Sequence, residues 1–270
     1  MSDYIKHPMI KPNKIQSRVY QQILFSEAVK QDTIIILPTG LGKTVIMILA
    51  IAHFLRKFDG KVVVTAPTRP LVDQHYNSFI DMLDILEDDI SIISGGSPPK
   101  KRSLMWHRSK ILIATPQTLR NDIISGICNL KEISLMCFDE VHRAIGDDPY
   151  VLSAEQYQLK NPNGRVIGFT ASPKDKDKLR EIVKNLKVRN IKFMNEEDPK
   201  VKKYIHVKAS MMLILPFMLW KVSMMPIYLF IKRTLNIMPM GTRDYGTSPI
   251  ANMMLTKKYS LQIVNMMQNC

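Results

Sequence analysis

Residues 37–44, LPTGLGKT, are the stretch that most constrains how this chain can fold. An apolar run typical of a buried strand precedes them, and a run without Gly or Pro, typical of a buried helix, follows them. A strand, a glycine-containing turn and a helix N-terminus together aim backbone N–H groups at one point, where a polyphosphate can bind. Lys43 can then reach the β- and γ-phosphates, and the Thr44 hydroxyl can bind Mg²⁺.

The loop departs from the general eight-residue pattern at Leu37, where that pattern has Gly. A Gly-Lys-Thr turn can also occur by chance. The loop alone therefore does not establish a nucleotide site, and partner residues must be found elsewhere in the chain. The predicted nucleotide-binding residues of the loop are Pro38, Thr39, Gly40, Leu41, Gly42, Lys43 and Thr44.

The charge of the chain suggests a polyanionic partner. The formal net charge is +14, and residues 200–270 hold ten Lys or Arg against the single acid Asp244, so about nine of these charges lie in the tail. Nucleic acid and an anionic membrane surface both fit this balance. The three cysteines form no close pair, so no disulfide framework or zinc ribbon is expected. The first residues lack an apolar signal region, so a cytoplasmic location is expected.

Short apolar segments alternate with helical segments along most of the chain. This rhythm predicts an α/β fold, a mostly parallel sheet with helices on both faces. The predicted strands are Thr33–Leu37, Lys61–Thr65, Ile90–Ser94, Ile111–Ala114, Leu135–Phe138, Val166–Phe169 and Ile191–Phe193. A polar cluster follows most of them, and the carboxyl ends of parallel strands are where such sheets bind ligands.

Asp139 and Glu140, directly after a predicted strand, are the candidate partners of the phosphate loop. A carboxylate at a strand end can hold Mg²⁺, usually through water, and an adjacent acid can deprotonate the attacking water. We assign Asp139 to the metal and Glu140 to the general base. The alternative is that the two acids merely begin a helix, since acids favour that end.

A helix is predicted over Ile15–Lys30, just upstream of the phosphate-loop strand. It carries Arg18 and Gln21. A Gln side chain presents both a donor and an acceptor and can read an adenine edge. The alternative is that Gln21 lies on a solvated helix face.

The chain resembles the first RecA-like domain of superfamily 2 helicases of the DEAD/DEAH type. The resemblance lies in RVYQ, LPTGLGKT, APTRPLVDQH, IATPQTL, FDEVHRA and GFTASP, in the expected order between residues 10 and 205. The segments PTGLGKT, DEVHRA and FTASP together resemble the corresponding motifs of one branch of the superfamily. This branch contains archaeal Hef and the eukaryotic Fanconi anaemia M translocases, which act on branched and forked DNA. A Leu at the first loop position is usual in one branch of this superfamily.

The resemblance implies a RecA-like P-loop NTPase domain over residues 1–205 that uses ATP and Mg²⁺. It implies that Arg18 and Gln21 sense adenine. It implies that the backbone of one nucleic-acid strand contacts Thr68, Arg69, Thr115 and Gln117. Coupling between the nucleotide and strand sites is implied for His142, Thr170 and Ser172. For His142, a core or capping histidine is the alternative.

Helicases of this superfamily close ATP between two RecA-like domains, and nothing after Pro173 resembles the second one. An arginine finger contributes on the order of 10³–10⁵ in rate to related phosphoryl transfers. The chain alone is therefore expected to bind ATP but to turn it over very slowly. The second domain is expected in trans or by self-association.

Residues 206–270 form an atypical C-terminal segment that contains the apolar run Met211–Ile231. A membrane anchor, a helical insertion truncated before its partners, and a degenerate tail from a split reading frame are the three interpretations. Pro216, Lys221 and Pro226 argue against the anchor, so a membrane partner is not expected.

The function predicted from the sequence is that of the ATP-binding domain of an ATP-dependent DNA helicase or translocase acting on branched or forked DNA, with DNA favoured over RNA. A non-catalytic, nucleotide-dependent nucleic-acid-binding module and a non-functional fragment of a split helicase gene are the alternatives.

Overall fold

The computed structural model describes residues 4–171, 175–202 and 204. Its helices are α1 (Val19–Lys30), α2 (Lys43–Lys57), α3 (Arg69–Met82), α4 (Pro99–Arg108), α5 (Pro116–Ile124), α6 (Pro149–Lys160) and α7 (Lys176–Asn185). Its strands are β1 (Thr33–Ile36), β2 (Lys61–Thr65), β3 (Ile90–Ile93), β4 (Ile111–Ala114), β5 (Ile133–Phe138), β6 (Arg165–Thr170) and β7 (Asn190–Phe193). Three short 3₁₀ turns cover Glu87–Asp89, Leu130–Glu132 and Val141–Arg143.

Within the described residues the strands form one seven-stranded sheet in the order β3-β4-β2-β5-β6-β1-β7. Every pairing in it is parallel. The predicted α/β fold is confirmed, and each predicted strand is present with its ends shifted by at most two residues. This order places the carboxyl ends of β5, β6 and β1 side by side, and those of β4 and β2 next to them.

Helices cover both faces of the sheet, because neighbouring residues of each central strand point to opposite sides. Ile35 of β1 packs in one hydrophobic layer, and its neighbour Ile34 packs in the other. The first layer includes buried side chains of α1, α2 and α3, and the second includes those of α5, α6 and α7. Because these strands are buried on both faces, their sequences are continuous apolar runs rather than alternating apolar and polar residues.

The first helix begins at Val19, so its predicted start at Ile15 is wrong. Ile15 is buried, as its apolar character suggested, but its carbonyl accepts a hydrogen bond from the Ile5 N–H at 2.9 Å. Tyr4 and Gln16 form an antiparallel bridge beside it. This pairing holds the segment extended up to Arg18, the residue before the first helical turn.

The predictions for residues 206–270, including the run Met211–Ile231, lie outside the described residues. Within the part of the chain that the structure describes, no helix is long and apolar enough to cross a membrane.

Candidate nucleotide site and strand-contact edge

The phosphate loop connects β1 to α2 as predicted. Gly40 and Gly42 adopt left-handed backbone conformations, with φ of 81° and 86°. Alternation of such residues with ordinary ones turns successive N–H groups inward and forms an anion-binding concavity. The N-cap residue of α2 is Gly42, which has no side chain to cap the helix, and the first turn of α2 holds no acid. The N-terminus of a long buried helix is therefore available to an anion.

Leu37, where the general pattern has Gly, is a core residue in this structure. Its side chain is completely buried in the layer that contains α1 and α2. Its N–H donates to the Thr170 carbonyl at 3.0 Å, which extends the pairing of β1 with β6 by one bond. The positive-φ residues of the described chain do not include Leu37, so this position has no need of glycine.

Besides its positive φ, Gly42 is constrained by the close approach of the Gln21 side chain. A Cβ on Gly42 would lie 2.3 Å from Gln21 Nε2. That amide donates to the Leu41 carbonyl at 3.1 Å, and the Tyr20 hydroxyl donates to the same carbonyl at 2.7 Å. The first helix therefore holds the loop through its backbone, and a Cβ at position 42 would push the Gln21 amide away from this contact.

We expect Gly42→Ala to weaken nucleotide binding by tenfold or more, since it strains the backbone at positive φ and displaces Gln21 from the loop. Gly126→Ala is the matched control, because Gly126 has φ of 70° with open space around it. Both variants should lose roughly 1 kcal/mol of stability from backbone strain. Titration with a fluorescent ATP analogue, beside thermal unfolding, separates the two effects. Equal nucleotide affinity in the two variants would contradict the role given to the contact with Gln21.

Lys43 and Glu140 lie together at the start of α2 and the end of β5. Lys43 Nζ is 3.7 Å from Glu140 Oε1, and the two side chains are 12% and 23% exposed. Among the described residues, Nζ is buried without a hydrogen-bond partner. A buried ammonium with incomplete hydrogen bonding is energetically costly, and phosphate oxygens would supply the missing acceptors. The cradle of the loop and this cation therefore fit a polyphosphate.

Asp139 is held rigidly by three different elements of the fold. It is 6% exposed, and its N–H donates to the Thr65 carbonyl of β2 at 2.9 Å. Oδ1 accepts from the Glu140 N–H at 3.0 Å, and Oδ2 contacts His75 Nε2 of α3 at 2.8 Å. The Tyr150 hydroxyl of α6 donates to the Asp139 carbonyl at 2.6 Å. Burial, together with the nearby Asp139 charge, raises the pKa of Tyr150, so its phenol remains a donor.

We expect Tyr150→Phe to lower the free energy of unfolding by about 1–2 kcal/mol, because it leaves the buried Asp139 carbonyl without its partner. Tyr157→Phe is the matched control: Tyr157 lies two turns later on α6 and donates to the Ile133 carbonyl at the other end of β5, at 2.9 Å. Denaturant unfolding should show similar losses for both. Only Tyr150→Phe should also weaken Mg²⁺-dependent nucleotide binding, and a weakening of equal size in Tyr157→Phe would contradict this account.

Glu140 does not begin an α-helix. It adopts a left-handed backbone conformation with φ of 53°, and a single 3₁₀ turn follows it. The alternative that the two acids merely begin a helix applies here only to this one short turn, and the catalytic roles of the pair stay a prediction. Positive φ is uncommon for a residue other than Gly and indicates local strain of the kind that clusters at functional sites. The conformation places the Glu140 carboxylate between Lys43 and His142.

The structure brings His142 and Thr170 together beside this carboxylate. His142 Nδ1 is 3.2 Å from Glu140 Oε2 and 3.4 Å from Thr170 Oγ1. The His142 side chain is 46% exposed, so the alternative of a core histidine is wrong. Its coupling role stays a prediction. Ser172, the third predicted coupling residue, lies outside the described residues.

Gln21 is 2% exposed, so the alternative of a solvated helix face is wrong. Its amide nitrogen is engaged by Leu41, as described above. Arg18 Nη1 donates to the Tyr20 hydroxyl at 3.4 Å, and its guanidinium lies 5.3 Å from the centroid of the Tyr204 ring. The two predicted adenine-sensing residues thus both contact Tyr20 next to the loop. Adenine recognition by them stays a prediction.

The predicted strand-contact residues lie farther along the same edge of the sheet. Thr68 and Arg69 follow β2, and Thr115 and Gln117 follow β4, its neighbour. Thr68, Arg69 and Gln117 are exposed, and Thr115 is half-buried. Neither Thr68 nor Thr115 caps its helix with its hydroxyl. Two helices with N-termini that these hydroxyls leave uncapped therefore begin just beyond neighbouring strand ends, which suits contacts to phosphates.

Sequence reasoning missed three residues of the nucleotide site: Tyr20, His75 and Tyr150. A signal existed for His75, since Val72, His75 and Phe79 share one face of α3 at helical spacing and are all buried. A histidine on an otherwise apolar face points toward the sheet and needs a polar partner there. Nothing in the local sequence indicated that the partner is Asp139.

Comparison with known proteins decides the family. The profile of the DEAD/DEAH box helicases matches residues 13–182. This chain belongs to the DEAD/DEAH box helicase family. The family predicted from the sequence is confirmed.

Individual relatives place this DEAD/DEAH box chain in the predicted Hef and Fanconi anaemia M branch. It is 46% identical over 203 residues to a Methanocaldococcus jannaschii protein provisionally named as an ATP-dependent RNA helicase, covering 75% of this chain and 26% of that protein. It is 32% identical over 206 residues to the Drosophila melanogaster DEAD-box ATP-dependent DNA helicase Fancm, covering 74% of this chain and 14% of that protein. The crystal structure of the Pyrococcus furiosus Hef helicase domain matches with a TM-score of 0.70 at 38% identity, covering 73% of this chain and 42% of that one.

Proposed function

We propose that residues 1–205 are the ATP-binding domain of an ATP-dependent DNA helicase or translocase that acts on branched or forked DNA. The observation that carries the proposal is the buried Lys43 ammonium, which has no hydrogen-bond partner within the described residues and lies between a phosphate loop and Glu140. The names of the relatives include both RNA and DNA helicases, and we favour DNA because of the resemblance to the Hef branch.

ATP is the substrate in this proposal, and its phosphates bind the loop Pro38–Thr44. Lys43 exchanges its contact with Glu140 for contacts with the β- and γ-phosphates, which frees the Glu140 carboxylate. Glu140 then accepts the proton of the water that attacks the γ-phosphorus, as the bond to the bridging oxygen breaks. His142 holds the second carboxylate oxygen of Glu140 on the side of Thr170.

Thr44 and Asp139 are the residues that would hold Mg²⁺ at the same site. Within the described residues, no three His, Cys, Asp or Glu side chains converge as a complete metal-ligand set. Mg²⁺ does not need such a set, since it commonly keeps several waters and binds one or two carboxylates together with substrate phosphates. When bound, the ion neutralises charge on the β- and γ-phosphate oxygens.

A single DNA strand would cross the edge formed by Thr68, Arg69, Thr115 and Gln117. Contacts with phosphate and sugar hold a strand without reading its sequence. Adenine would be read by Gln21 and Arg18, which requires the Gln21 amide to leave the Leu41 carbonyl at least in part.

The chain spans only 26% and 14% of the lengths of the two relatives described above. We propose that a second RecA-like domain completes the site, either in trans or by self-association. Closure between the two domains would convert hydrolysis into movement along DNA.

The test is ATP hydrolysis by the purified chain, with and without forked DNA. The proposal expects a low basal rate that rises on addition of DNA, and a larger rise when a second RecA-like domain of the same branch is added. Nucleotide binding without any stimulation by DNA would instead support a non-catalytic, nucleotide-dependent binding module. Absence of nucleotide binding would overturn the proposal.

A further inference from the structure

His75 has a buried imidazole side chain that has no role in the ATP hydrolysis proposed above. It is 5% exposed, and its ring stacks on Phe79 with the centroids 5.8 Å apart. Nε2 lies 2.8 Å from Asp139 Oδ2. An ionised carboxylate can only accept, so Nε2 donates this bond. Nδ1 is buried without a hydrogen-bond partner among the described residues, so the whole polar role of this side chain is its contact with Asp139.

The contact fixes the rotation of the Asp139 carboxylate. Oδ1 is already bound to the Glu140 N–H, and His75 holds Oδ2, so both oxygens have a defined direction. The unused lone pairs of these oxygens then point in a fixed direction as well. Partners of this kind, which orient a metal ligand, typically change metal affinity by about 10–100-fold when they are removed.

Helix α3 links the predicted strand contact at Arg69 to the candidate metal ligand Asp139, because it carries both Arg69 and His75. The helix begins at Arg69, a predicted strand-contact residue, and His75 lies about 9 Å farther along its axis at 1.5 Å per residue. The same helix therefore carries a predicted strand contact at its start and the hydrogen-bond partner of Asp139 in its second turn.

We propose that His75 is a positioning residue, which holds the Asp139 carboxylate in the orientation that Mg²⁺ binding requires. This inference rests on the proposed function, because it takes Asp139 as the metal ligand. It predicts a defect in the use of Mg²⁺ rather than a general loss of nucleotide binding, since the hydrogen bond of His75 goes to Asp139 and not to the phosphate loop.

His75→Gln and His75→Asn form the test pair. The Gln amide nitrogen lies as far from Cβ as Nε2 does, so it can still donate to Asp139. The Asn amide matches Nδ1 instead and is too short to reach. The two variants have the same chemistry and differ in the reach of the donor, so any general effect of placing an amide in the core is common to both.

The measurement is binding of a fluorescent ADP analogue, first in EDTA and then across a titration of free Mg²⁺. We expect similar affinity in EDTA for wild type and both variants. The Mg²⁺ concentration for half-maximal enhancement should rise about 10–100-fold in His75→Asn and stay within about threefold of wild type in His75→Gln. Equal Mg²⁺ dependence in the two variants, whether normal or impaired, would overturn the inference.

Failure of the proposed function gives a different result. In that case wild type itself does not bind the nucleotide, or binds it with no dependence on Mg²⁺, and His75 has no metal ligand to position. Normal Mg²⁺ enhancement in wild type with no difference between the two variants overturns the inference about His75 alone.

Discussion

Lys43→Ala should lower the affinity for MgATP by on the order of 10²-fold or more. Hydrogen bonds to charged groups contribute about 1.5–3 kcal/mol each, and Lys43 is placed to make such bonds to both the β- and γ-phosphates. The substitution also leaves the Glu140 carboxylate with one cationic neighbour fewer, which adds charge repulsion toward the incoming phosphates. Equilibrium titration with a fluorescent ATP analogue measures the loss directly.

Lys57→Ala is the control for this variant. Lys57 lies at the exposed C-terminal end of the same helix, α2, and its removal subtracts the same charge from the chain. Nucleotide affinity in Lys57→Ala should equal that of wild type. A similar loss in both variants would mean that the net charge of the chain, rather than the Lys43 ammonium in the loop, governs nucleotide binding.

Glu140→Gln should reduce ATP hydrolysis by about 10²–10⁴-fold while nucleotide binding is kept. General base catalysis typically contributes this much, and a Gln of the same shape cannot accept the proton. Nucleotide affinity should stay equal or become tighter, because Lys43 no longer has to exchange an anionic partner for the phosphates. Single-turnover hydrolysis in the presence of forked DNA, beside equilibrium binding, separates the two effects.

Glu132→Gln provides the matched comparison, since Glu132 lies exposed before the first residue of β5 and Glu140 lies beyond its last. Hydrolysis should be unchanged in it. If Glu140→Gln lost affinity by the same factor as activity, Glu140 would be a binding residue and the assignment of the general base would be wrong.

The sheet was predictable because its strands are buried on both faces. Segments such as Ile111–Ala114 and Leu135–Phe138 are continuous apolar runs between polar turns, and few other structures suit such runs. The phosphate loop and the pair Asp139-Glu140 were predictable because their chemistry needs particular residue types directly after a strand. The order of the strands then places the two motifs at the same edge of the sheet, after β1 and β5, with β6 between them.

The rest depends on contacts between residues far apart in the chain. The start of α1 is set by pairing of Ile5 with Ile15, which no helical periodicity can show. Gln21 has an ordinary polar side chain, and its burial follows from the close approach of Gly42. The contacts of Asp139 with His75 and Tyr150 join helices α3 and α6 to one strand end, so they exist only once the sheet has formed.

The most direct test of the central claim is a crystal structure of the chain with Mg²⁺ and a non-hydrolysable ATP analogue. The account predicts phosphates in the concavity of Gly40 and Gly42, the Lys43 ammonium moved from Glu140 to the phosphate oxygens, and Mg²⁺ between Thr44 and Asp139 with water in its remaining positions. Nucleotide bound elsewhere, or a Lys43–Glu140 pair that persists beside it, would contradict the account.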